Sequence, residues 1–97
     1  MKVVWSDRAL KTLAAIHARI SADSEQQAHR VIDRILMRGD QLALFPLSGR
    51  VVQRFNRPNI REIVESPYRI VYRVKKEEVE VIEVFHGARR PPRDKTR

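Results

Sequence analysis

A chain of 97 residues suffices for one compact domain, and its 20 Lys+Arg against 12 Asp+Glu give a formal charge of +8. The absence of cysteine excludes a disulfide scaffold and every thiolate metal site. No apolar run approaches the roughly 20 residues that span a bilayer, and the polar Ser6-Asp7 comes too early for a signal peptide, so a cytoplasmic protein without membrane attachment is expected.

The charge is unevenly spread. Residues 50–76 carry eight bases and two acids, residues 77–84 carry four acids and no base, and residues 85–97 return to five bases and one acid. Fifteen of the 20 bases are arginine, whose planar fork suits carboxylate and phosphate. A basic second half calls for an anionic partner, either nucleic acid or an acidic protein segment.

In chain order, Val3-Val4-Trp5 is β-prone, and Ser6 with Asp7 reads as a helix N-cap and an acidic first turn. Apolar residues at Leu10, Leu13, Ile16 or His17, and Ile20 follow at helical spacing. After Ser21-Ala22-Asp23, Ser24 and Gln27 form the signature of a capping box. The second helical stripe runs through Ala28, Val31, Ile32, Ile35, Leu36 and Leu42 to a stop at Pro46, with Gly39 as a place for a bend. A loop this short folds two amphipathic helices back into a hairpin.

Beyond Pro46 the period changes from 3.6 to 2. Ser48-Gly49-Arg50 reads as a turn, Val51-Val52 as a short strand and Asn56-Arg57-Pro58-Asn59 as a loop. Ile60–Glu65, Tyr68–Val74 and Val79–His86 read as strands, separated by Ser66-Pro67 and by Lys75-Lys76-Glu77-Glu78. The order β-α-α-β-β-β predicts an α+β fold, one helical hairpin on a small, mostly antiparallel sheet. The domain is expected over residues 1–88, with 89–97 a basic tail too polar to hold itself in place.

Alternation assigns faces. Ile70 and Tyr72 should join Ile82 and Val84 against the helices, leaving Arg69 and Arg73 outside with Val81, Glu83 and Phe85. Such a face either neutralises itself, Glu83 pairing across strands with Arg69 or Arg73, or binds phosphates or an acidic peptide. His86 ends the last strand, and imidazole suits a general acid. With Glu62 or Glu65 as base and Arg61 or Arg69 on a phosphate, a metal-free RNA-cleaving set can be drawn. No His/Asp/Glu spacing suggests a metal, and no glycine-rich loop suggests a nucleotide cofactor, so neither is expected. A non-toxic nucleic-acid-binding module is a further reading, although Tyr68 and Tyr72 alternate onto the core face rather than the open one.

The ordered motifs Trp5-Ser6-x-x-Ala9, Phe45-Pro46-x-x-Gly49-Arg50, Arg61-Glu62, Tyr68-Arg69-Ile70-Val71-Tyr72-Arg73-Val74 and Val84-Phe85-His86-Gly87-Ala88-Arg89 resemble the ParE branch of the RelE/ParE superfamily of type II toxins, also called plasmid stabilisation proteins. The resemblance covers residues 1 to about 91. It implies a toxin that inhibits growth by acting on DNA gyrase without being an enzyme, neutralised in a hetero-oligomer by an acidic ParD-like antitoxin that folds on it. Operator DNA would be bound only through the antitoxin. Arg50, Arg61, Arg69, Arg73 and Arg89 become the candidate contacts to target or antitoxin. The alternative within the superfamily is a ribosome-dependent mRNA endoribonuclease of RelE or YoeB type using Glu62, Arg69 and His86. Gly87 stands where YoeB-like sites carry an aromatic residue, which weighs against that alternative.

Overall fold

The computed structural model describes residues 1–88 and shows two helices packed on one five-stranded sheet. Strand β1 spans Lys2–Trp5, helices α1 and α2 span Asp7–Ser21 and Glu25–Asp40, and strands β2 to β5 span Arg50–Val51, Ile60–Glu65, Tyr68–Val74 and Glu78–His86. The sheet order is β1-β5-β4-β3-β2. All neighbours are antiparallel except β1, which runs parallel to β5. The first and last strands of the fold are therefore partners. The α+β arrangement expected from the sequence is the one observed.

Local chemistry explains where the helices begin. The Ser6 hydroxyl accepts from the Ala9 amide and donates to the Ile82 carbonyl, so one side chain both caps α1 and ties it to β5. Ser24 accepts from the Gln27 amide, which is half of the expected capping box. The other half is not made, because the Ser24 amide donates to Ile20 and closes the end of α1.

Helix α1 buries Ala9, Leu13 and Ile16, whereas Leu10 is 48% exposed. The stripe thus starts one residue earlier than the large apolar side chains suggested, since a small Ala9 allows α1 close to the sheet. Helix α2 buries Ala28, Val31, Ile35 and Gly39 and stops at Asp40, not at Pro46; Leu42 is buried from a 3-10 turn over Gln41–Ala43. Nor does Gly39 mark a break, for α2 runs through it. A Cβ at that position would lie 2.4 Å from the Trp5 ring, so the glycine gives up helix propensity, about 1 kcal/mol against alanine, to let the indole lie against the helix.

The face assignment needs one correction. Between Val71 and Tyr72 the β4–β5 register slips: Val71 opposes Glu83 but Tyr72 opposes Val81, leaving Ile82 as an extra residue. This is a β-bulge, and it reverses the expected sides of two residues. Val81 packs under the helices with Ile70, Tyr72 and Val84. Ile82 lies on the far side in a second small core around Val52, Ile60 and Val71, together with Phe55 and Phe85. The sheet is consequently apolar on both faces, and the far face is covered by the segment leading from β2 to β3, with its own 3-10 turn at Gln53–Phe55.

Tyr72 is fully buried, and its hydroxyl donates to the Pro46 carbonyl and accepts from the Gly49 amide. A Cβ on Gly49 would lie 2.6 Å from both that hydroxyl and the Glu62 carbonyl oxygen. The Pro-x-x-Gly-Arg motif is thus a loop clamped from below by one phenol. Burial pushes the Tyr72 hydroxyl above its ordinary value of 10.0, against the downward pull of the Gly49 amide and of the Arg61 charge. A group raised in the folded state contributes stability in full below its unfolded value, and loses it as pH climbs through the folded one. Tyr72→Phe should therefore cost about 1–3 kcal/mol at neutral pH by orphaning Gly49 N–H and Pro46 C=O. Its deficit against wild type should shrink above pH 10, as urea melts at the two pH values will show.

Candidate functional site

Two regions gather basic residues. The first is the far face of the sheet. Arg50 on β2 and Arg69 on β4 both donate to Oε2 of Glu62 on β3, at 3.0 and 2.9 Å. The carboxylate is 9% exposed while Arg50 is 72% exposed. Burying Glu62 is tolerable because two guanidiniums replace its water, and the triplet keeps a net positive charge. Each guanidinium carries five donors, so one bond to Glu62 leaves Arg50 others to offer a partner.

The remaining candidates divide between structural and compensated roles. Arg61 donates to the backbone carbonyls of Leu47, Gly49 and Pro58, strapping together the loops on either side of β2. Arg73 pairs with Glu80, which also meets Lys75, and Lys75 in turn meets Glu78. Part of the acidic run of β5 is thereby spent on neighbouring bases of the same hairpin. Glu65 is held by Arg34 and Arg38 of α2, a tie between helix and sheet. Arg69 and Arg73 thus each meet an acid, Glu62 and Glu80, and Glu83 is buried. Arg89 lies outside the described residues.

His86 is not part of this set. It opposes Tyr68 across β4–β5, whereas Arg69 opposes Phe85, so strand alternation turns His86 toward the helix side and Arg69 away from it. Its ring stands edge-on to Tyr68 at 5.6 Å, and its Nδ1 accepts from the Ala88 amide at 3.1 Å. The fold brings Glu62, Arg50 and Arg69 together and places His86 on the other face.

The second region lies beside His86. A groove of about 770 Å³ runs between α1 and the end of β5. Buried Ile16, Tyr68 and Val84 form its floor, and Arg8, Lys11 and Arg19 from α1 line it with His86. Arg19 donates to the Tyr68 hydroxyl at 3.3 Å. Strand β1 covers β5 only from Glu78 to Val81. Beyond the two bonds from Ser6 to Val81 and Ile82, that edge of β5 has no strand beside it among the described residues. Arg8 also lines a neighbouring hollow with Arg54, Arg57 and Arg73, and Arg54 lines a third with Arg50 and Arg69. These shared residues join the groove to the far face as one basic track. Sequence reasoning passed over its α1 portion because the first 49 residues net only two positive charges. The spacing of Arg8, Thr12, Ala15 and Arg19, one stripe on a helix, was the available signal.

Comparison with known proteins agrees with this architecture. The family model of the ParE toxin of type II toxin–antitoxin systems (parDE) matches residues 3–91. The chain is 37% identical over 93 residues to the protein Y4kP of Sinorhizobium fredii, covering 94% of this chain and 93% of that one. It is 36% identical over 89 residues to Toxin RelE2 of Caulobacter vibrioides, covering 91% and 97%. In three dimensions it resembles a chain of the chromosomal ParDE system from P. aeruginosa, with a TM-score of 0.74 at 21% identity over 89% of this chain and 95% of the other. Fold, ordered motifs and relatives converge: the chain belongs to the ParE toxin family of type II toxin–antitoxin systems.

Proposed function

We propose that this ParE-family toxin inhibits DNA gyrase when free, and is silenced by an acidic, ParD-like antitoxin segment that folds into the groove along α1. The groove carries the second half of the reading. Its apolar floor and its rim of Arg8, Lys11 and Arg19 match one face of an amphipathic acidic segment, the apolar side buried and the carboxylates on the guanidiniums. The basic track leading to Arg50 and Arg69 lets a longer segment wrap the domain, and ordering entropy is then offset by a large contact area. In such a complex the toxin would reach operator DNA only through its partner. No helix among the described residues is long and apolar enough to cross a membrane, and the cytoplasm is the compartment this reading assigns.

Placement of His86 away from Glu62 and Arg69, with Glu65 tied to Arg34 and Arg38, favours gyrase inhibition over RNA cleavage, because a general acid and base must reach the same phosphodiester. The test is a supercoiling assay of purified gyrase on relaxed plasmid, titrated with the isolated protein. Inhibition accompanied by cleaved DNA is the expected result. Folded protein that arrests growth yet leaves gyrase untouched would overturn it and transfer the reading to mRNA cleavage on the ribosome.

A further inference from the structure

The turn between the two helices gathers three metal-ligating side chains that the toxin reading does not use. His17 projects from the last half of α1, while Glu25 and His29 sit one turn apart at the start of α2. Their potential ligand atoms all lie within 4.8 Å of one another, and the two imidazole centroids are 5.3 Å apart. On sequence the set is hidden, since seven residues and a helix reversal separate His17 from Glu25. The hairpin closes that gap.

From this juxtaposition we infer that His17, Glu25 and His29 form a binding site for a borderline divalent cation, zinc above all, which staples α1 to α2. Two imidazoles and one carboxylate are a donor set for zinc, nickel or copper, while magnesium and calcium require oxygen cages. Tetrahedral zinc with ligands at about 2.0–2.1 Å places them about 3.3 Å from each other. The present spread must therefore contract by rotamer changes, which exposed Glu25 and His29 and half-buried His17 can make at the surface. Three protein ligands leave a fourth position to water. The ion binds the closed hairpin and not the separated helices, so mass action stabilises the fold. The inference is independent of the toxin's cellular target.

The experiment uses the untagged full-length chain, stripped with chelator and titrated with zinc chloride by calorimetry, alongside thermal melts. Binding of one ion per chain is expected, with a melting temperature raised by about 5 °C or more at roughly 100-fold excess over Kd. Magnesium chloride should produce no shift. His17→Gln and His29→Gln should each weaken zinc binding about tenfold or more, whereas His86→Gln, outside the three-residue set, should bind like wild type. Circular dichroism verifies that the variants fold. The site is refuted if wild type neither binds nor shifts, or if the folded H17Q/H29Q double variant binds zinc as well as wild type.

Discussion

Ile35→Ala is expected to remove about 2–5 kcal/mol of folding free energy. Ile35 is fully buried in the main core, on the face of α2 that packs toward the sheet, so truncation removes its transfer free energy and leaves a cavity. A domain of this size holds roughly 5–15 kcal/mol in all, so one side chain decides a large fraction of the total. Leu10→Ala provides the contrast. It deletes as many atoms from a residue that is 48% exposed, and should change stability by no more than about 0.5 kcal/mol. Urea unfolding of both variants measures the pair. A larger loss at Leu10 than at Ile35 would mean that the helices are rotated from the orientation described.

Reversing two charges on α1, Arg8→Glu together with Lys11→Glu, should weaken binding of the cognate antitoxin segment by about 100-fold or more. That factor corresponds to about 2.7 kcal/mol, within the range found when charges meeting across an interface are lost. Both residues are exposed, and a carboxylate in the first turn suits the helix dipole, so the fold should survive. Arg30→Glu on α2, also exposed but away from the groove, should leave affinity near wild type. Calorimetric titration of the antitoxin peptide, with circular dichroism as a check on folding, separates the outcomes. Unchanged affinity in the double variant would remove the groove from the interface.

Much of this architecture could be read from residue order because local and global preferences agree. Ser6 and Ser24 announce the helix starts, and the change of period beyond Pro46 announces the sheet. What escaped the reading depends on distance in the chain. Plain alternation misplaced Val81 and Ile82, because only the partner strand shows which of the two turns inward. The parallel pairing of β1 with β5 joins residues more than 70 positions apart and leaves no periodic trace.

Among the candidate site residues, Arg50 and Arg69 were chosen for their places in the basic half and in the family-like motifs, and both meet Glu62. Arg61 was chosen on the same ground and proves to be bonded to backbone carbonyls, because guanidinium serves a loop as readily as a ligand. The α1 side of the groove was overlooked for the converse reason. Its bases are diluted in the count by acids outside that helix, Asp23 in the turn and Glu25, Asp33 and Asp40 in α2.

The position of the single tryptophan has a spectroscopic consequence. Trp5 lies on the strand that closes the sheet against β5, with its ring against Gly39. Its environment forms only when residues near positions 5, 39 and 81 have all come together, the longest-range closure in the domain. Indole emission is therefore a gauge of completed topology rather than of helix content. Far-ultraviolet dichroism reads the hairpin, so the two signals divide folding into its local and its global halves without any added label.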